Sequence, residues 1–324
     1  MGEQMKNNIL ICTLTALPLV TVPSVSFAHC GGAFCTINTN WDVQGVWDKP
    51  GVRLDLRAEF IDLDQLRKGS HDTHPAGVVD THDETRTINR NFVGTLDWGI
   101  TPQWGVTLRA PLVDRSHNHI HNMDNGAGGV EPEAESWNFT KVGDVQAVAR
   151  YAFHQDPDGE AGVRFGLKLP TGGIHEKNSA GALAERSLQP GTGSTDALLG
   201  AYYHGRLNGA GWFVQGMWQQ VVNERDNFKP GRQLSLDVGM NYAATPKLSL
   251  LMQMNTLYKS KDTGANAEPQ DSGNQAVFLS PGISYRVMPN LQVYGFLQKP
   301  IYQHMNGTQL VADWSAALGF STQF

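Results

Sequence analysis

Three histidines spaced two apart, His117, His119 and His121, form the densest set of chemically capable side chains in this chain of 324 residues. Alternate residues of an extended backbone share a face, so the three imidazoles would point the same way. Asp114 and Asp124 flank them, and a second group, His71, His74 and His82, lies close to Asp72, Asp80 and Asp83. Imidazole with carboxylate suits zinc, copper or nickel. The expected metal ligands are therefore His117, His119 and His121, with zinc or copper bound; the competing reading is polar loop surface with no cofactor. His154, His175, His204 and His304 are scattered and read as structural. Cys30 and Cys35 are close in sequence, and in an oxidising compartment they are expected to close a short disulfide loop. A metal or redox site built from His29, Cys30 and Cys35 is the alternative.

The elements that would carry these groups alternate with a period of two. Val52, Leu54, Leu56, Ala58 and Phe60 interleave with Arg53, Asp55, Arg57 and Glu59. From Trp314 to Phe324 one face reads Trp314, Ala316, Leu318, Phe320, Thr322 and Phe324, while the other is small and polar. A strand with one greasy and one wet face is what the wall of a membrane barrel requires, although an edge strand of a soluble sandwich also shows it. The pattern recurs about twelve times after residue 51, which predicts an all-β, antiparallel up-and-down transmembrane barrel of about twelve strands. The connections discriminate between barrel and sandwich. Compact ones at 101–103, 154–160, 208–210, 245–246 and 288–289 alternate with longer ones at 61–86, 114–142, 170–195, 223–232, 259–274 and 299–308. Short turns on the periplasmic side and long loops outside are the rule for outer-membrane barrels.

The N-terminus has the form of a secretory leader: Lys6, an apolar stretch from Ile9 to Val22 broken by Pro18, and a small-residue cleavage site ending at Ala28. The expected organisation is a signal peptide over 1–28, a periplasmic segment over 29–51 and the barrel over 52–324. Mean hydropathy of -0.33 leaves no later stretch able to cross a bilayer as a helix, whereas a barrel needs only alternate apolar residues. The net charge of -6 and the lack of a basic stripe argue against nucleic acid. Projecting the alternation inward lines the channel with Arg53, Asp55, Arg57, Glu59, Asp97, Arg109, Asp144, Arg150, Arg164, Lys168, Asp237, Arg286 and Asp313. Such mixed charges either brace the wall in pairs or set a field that sorts solutes.

Several motifs carry a resemblance. Gly143-Asp144-Val145 with Arg150-Tyr151, Gly166 through Gly172 (GLKLPTG), and Gln189 through Ser194 (QPGTGS) with Asp196 are similar to the signature of the meta-pathway phenol-degradation transporter family. The stretch from Phe60 to Arg67 is similar as well. The resemblance implies an outer-membrane barrel associated with uptake of aromatic or other small organic compounds. The terminal strand ending in Phe324 resembles the signal read by the barrel-assembly machinery, so the expected partners are the lipid bilayer, that machinery and a small-molecule solute.

Catalysis finds no foothold. The His-Asp-Ser-Asn context of the outer-membrane phospholipases is absent, and Ser116 and His117, adjacent on a strand, face opposite sides and cannot pair as nucleophile and base. No catalytic residue is assigned and the chain is read as not an enzyme. The glycine-rich run from Gly191 to Thr195 lacks the lysine of a phosphate cradle and reads as a tight loop. The sequence thus predicts a porin-like transporter in the outer membrane of a Gram-negative bacterium. Its alternatives are a surface metal-binding barrel and a structural barrel holding a periplasmic partner.

Overall fold

The computed structural model describes residues 29–30, 34–41, 44–46, 50–79 and 81–324, with backbone only at 29–30. The expected leader over 1–28 and Asp80 lie outside them. The strands are β1 (His29–Cys30), β2 (Gly51–Leu63), β3 (Gln65–Gly69), β4 (His71–Asp72), β5 (Thr81–Gly99), β6 (Trp104–Asp124), β7 (Val130–Val142) and β8 (Val145–Asp156). They continue as β9 (Gly159–Leu169), β10 (Thr195–Leu207), β11 (Ala210–Asn223), β12 (Gln233–Ala243), β13 (Leu248–Lys259), β14 (Asn274–Met288), β15 (Leu291–Val311) and β16 (Ser315–Gln323).

Twelve of them, β2, β5, β6 and β8 through β16, form a closed antiparallel wall in which β16 pairs with β2 and β14 with β15. Closure leaves no strand edge unpaired, which is what lets a sheet stand in hydrocarbon. Among the described residues no helix is long and apolar enough to cross a membrane.

Alternation decides which face is which. On β2, Arg53, Asp55, Arg57 and Glu59 are buried inside, while Leu56 and Phe60 are exposed outside. The outer surface carries a band of exposed leucine, valine and methionine between two aromatic girdles. One girdle, at the end with the short turns, holds Trp98, Trp104, Tyr151, Phe153, Trp212, Tyr242, Tyr285 and Phe324; the other, at the loop end, holds Phe60, Phe92, Trp218, Tyr258, Tyr302 and Trp314. The tight turn at Asn208-Gly209 has positive φ at both residues, +50° and +82°, the hairpin geometry that suits the twist of the flanking strands.

Three expectations change at the loop end. Residues 299–308 are not a loop: β15 runs through them to Val311, pairing with β14 and then with β3, so the last connection is only 312–314. The stretch 114–142 is mostly a hairpin, because β6 continues to Asp124 and β7 returns along it. The segment 29–51, expected in the periplasm, does not stay outside the wall: its described residues 34–41 and 44–46 run along the inner face of the barrel.

Candidate functional site

The inner segment is held by side chains from opposite sides of the wall. Trp41, 1% exposed, donates from Nε1 to Asp55 Oδ2 at 3.0 Å and packs edge-on against Tyr294, ring centres 4.9 Å apart. Tyr294 donates to the same carboxylate at 2.8 Å. Arg57 donates to Thr39 Oγ1 at 2.8 Å and to Ile37 O at 3.3 Å, and pairs with Glu59 at 2.6 Å. Across the lumen, Asn38 donates to Gln253 and Asp237, each at 3.0 Å, and Gln253 donates back to Asn38 O at 2.9 Å. The segment is thus a plug, tied at once to β2, β12, β13 and β15.

The plug accounts for Cys35. It is a free thiol, buried, with Sγ 3.5 Å from Ser315 Oγ, so the disulfide expected with Cys30 is not formed. The thiol is turned into the wall at β16, away from its own chain.

All the expected channel-lining residues except Asp313 sit on the inner face, with Arg286 at its rim opposite Gln292. Arg286 is exposed near the turn between β14 and β15, and Asp313 is exposed in the connection 312–314. Several inner charges are paired or hydrogen-bonded across the wall. Arg53 faces Asp97 at 3.6 Å, Arg150 pairs with Glu160 at 2.7 Å, and Arg164 donates to Gln215 at 2.9 Å. Arg109 lies over the Phe34 ring at 5.7 Å.

The motif residues converge. Lys168 Nζ donates to Asp144 at 3.2 Å, Ser194 at 3.1 Å and Thr192, and forms an ion pair with Asp196 at 3.1 Å. Thr192 N and Gly172 N both donate to Asp144, and a Cβ on Gly191 would lie 2.4 Å from Gly172 O, so the two loop limbs meet where only glycine fits. This knot folds the loop 170–194 inward until Leu188 and Ala184 pack on Trp137.

Beside the plug, near the loop end, lies an apolar chamber of about 520 Å³ including its open mouth. Phe34, Ile61, Leu63, Leu257, Phe278, Met305, Val311 and Trp314 line it, with Thr36, Asn274, Gln298 and Gln303 as polar points. The β14–β15 ladder shifts register between Val277 and Phe278, against Pro300, at its border. On β2 the inner face changes there from charged Glu59 to apolar Ile61 and Leu63. A second cavity, of about 480 Å³ at the turn end, is lined by Arg53, Asp97, Arg150, Glu160 and His204.

The histidines regroup. His117 Nδ1 is bonded to Thr87 at 2.7 Å with its ring buried against Trp137, and His119 Nε2 meets Glu135 at 2.7 Å. His121 instead lies beside His82 of the neighbouring strand, ring centres 4.2 Å apart. Burial, then His119 and His121, pushes His82 down to about 4; burial, then His119 and Arg115, pushes His117 down to about 3. Sequence reasoning missed Trp41, Tyr294, Gln253 and Glu135. Only the ring of Tyr294 left a trace: it covers Gly319 of β16, where a Cβ would meet it at 2.5 Å.

A family model described as "Putative MetA-pathway of phenol degradation" matches residues 35–303. No curated protein matches the chain. Among solved structures, the COG4313 outer membrane channel from Pseudomonas putida F1 is similar with a TM-score of 0.61 at 12% identity, covering 85% of this chain and 96% of that one. The Ralstonia pickettii toluene transporter TbuX gives a TM-score of 0.47 at 9% identity, covering 93% and 95%; a Pseudomonas aeruginosa FadL homologue gives 0.42 at 11%, covering 94% and 98%. The first of these likenesses bears on the fold, an outer-membrane barrel.

Proposed function

The chain belongs to that phenol-degradation family, and on this premise we propose that it is an outer-membrane channel for small, largely apolar organic solutes of the aromatic class, with no chemistry of its own. The loop end faces outward, and solute enters through the chamber beside the plug. The observation that carries the reading is the chamber itself. A closed polar lumen has no need of a pocket walled by Phe34, Phe278, Leu257 and Met305, whereas an aromatic solute gains by leaving water there. Gln303 is placed to take a hydroxyl, as a phenol would require, while Thr36 and Gln298 are bonded to each other at 2.9 Å. The knotted loop and the plug close the remaining path, so passage requires the plug to shift.

The test is to fill the chamber. Ala276 is buried on its wall, and Ala276→Phe is expected to abolish uptake of labelled phenol or toluene into proteoliposomes. The barrel should keep the slower gel mobility on boiling that marks a folded wall. Uptake unchanged in a folded Ala276→Phe variant would count against this route.

A further inference from the structure

We propose that His82, His121 and Glu135 bind one divalent metal ion of the zinc, copper and nickel class at the loop end of the barrel. One ligand atom from each lies within 4.8 Å of the others. Around a tetrahedral ion with bonds near 2.1 Å the ligand atoms stand about 3.4 Å apart, so closing the site asks only small side-chain rotations. Two imidazoles and one carboxylate are the donor set this class prefers, and they leave a position open for water or a further ligand.

The three come from three strands. His82 on β5 is the direct cross-strand partner of His121 on β6, and Glu135 on β7 is the partner of His119. A bound ion therefore ties β5 to β7 across β6, beyond the apolar band. Glu135 is already oriented: its Oε2 meets His119 Nε2 at 2.7 Å, which makes His119 a positioning residue. Asp83, next to His82 in the chain, is spent on Ala76 N, Gly77 N and Asn122. His117, though on the same face, is turned to Thr87 and is not a ligand.

The experiment is calorimetric titration of the untagged, detergent-solubilised barrel with zinc, and separately with copper and nickel. One saturable site per chain is expected. His82→Ala, His121→Ala and Glu135→Gln should each weaken binding by at least about tenfold, while His117→Ala leaves it unchanged. Zinc should also protect the 125–129 turn of the β6–β7 hairpin from protease in the parent and not in His82→Ala. Absence of a saturable site, or full affinity in His82→Ala and Glu135→Gln, would overturn the proposal, as would an equal loss in His117→Ala. Gel mobility before and after boiling checks that each variant is folded. The chamber is lined by none of these residues, so the outcome is separable from the transport reading.

Discussion

Replacing Trp41 by alanine should release the plug and leave the wall standing. Trp41 is almost wholly buried, donates to Asp55 and leans on Tyr294, yet it contributes nothing to the hydrogen-bond ladder of the barrel. Deleting a buried tryptophan side chain costs about 3–5 kcal/mol. Losing one of two donors to a buried carboxylate adds about 1–3 kcal/mol. Taking about 4 kcal/mol as the part that falls on docking, the undocked fraction rises by about 10³-fold, at about 1.4 kcal/mol per decade. Cys35 reports on this directly, because its thiol is buried against Ser315 only while the segment is in place. The assay is the rate of modification of Cys35 by a bulky water-soluble maleimide, in a Cys30→Ser background, with single-channel conductance recorded in parallel. Modification limited by opening should accelerate in proportion to the undocked fraction. A rate and a conductance equal to the parent's, in a barrel still heat-modifiable, would refute the idea that Trp41 anchors the plug.

Two further outcomes are expected. Lys168→Met leaves Asp144 and Asp196 buried together without their shared cation, a break of the kind that costs about 3–5 kcal/mol; the loop 170–194 should become sensitive to protease while the wall stays folded. At the loop end, burial and neighbouring carboxylates raise Glu185 to about 8 and Glu268 to about 9, and raise Glu84 as well. For an acid raised in the folded state, the stabilisation is fully present below the ordinary value of 4.5 and is lost as pH climbs through the raised value. Loops 170–194 and 260–273 should therefore loosen between about pH 5 and pH 9.5, read as faster proteolysis and higher conductance, and a flat profile would dispose of the effect.

The wall was legible because its code is local. A residue such as Arg57 between Leu56 and Ala58 declares its side of the sheet without reference to any other strand. Long connections were less legible: the alternation of Gln303 and Met305 against Tyr302 and His304 was interrupted by Pro300 and Gly307, and β15 was divided there. The inner segment was not legible at all. Residues 34–41 have no period, and a polar stretch ahead of a barrel reads the same whether it hangs free or lies within the lumen. The histidine pattern was legible as a face and not as a ligand set, since spacing along β6 says nothing of what β5 and β7 bring alongside.

What the amino-acid order determined by itself is the partition between two solvents: which side of each strand meets lipid and which meets the lumen. Each of these follows from neighbours one and two residues away. What only the tertiary structure decided is who meets whom across strands. Trp41 reaches Asp55 and Tyr294, Asp144 reaches Lys168 and Thr192, and His121 reaches His82 and Glu135 through register, closure and the path of a chain turned inward. These meetings join residues far apart in the chain, and no local pattern carries that information.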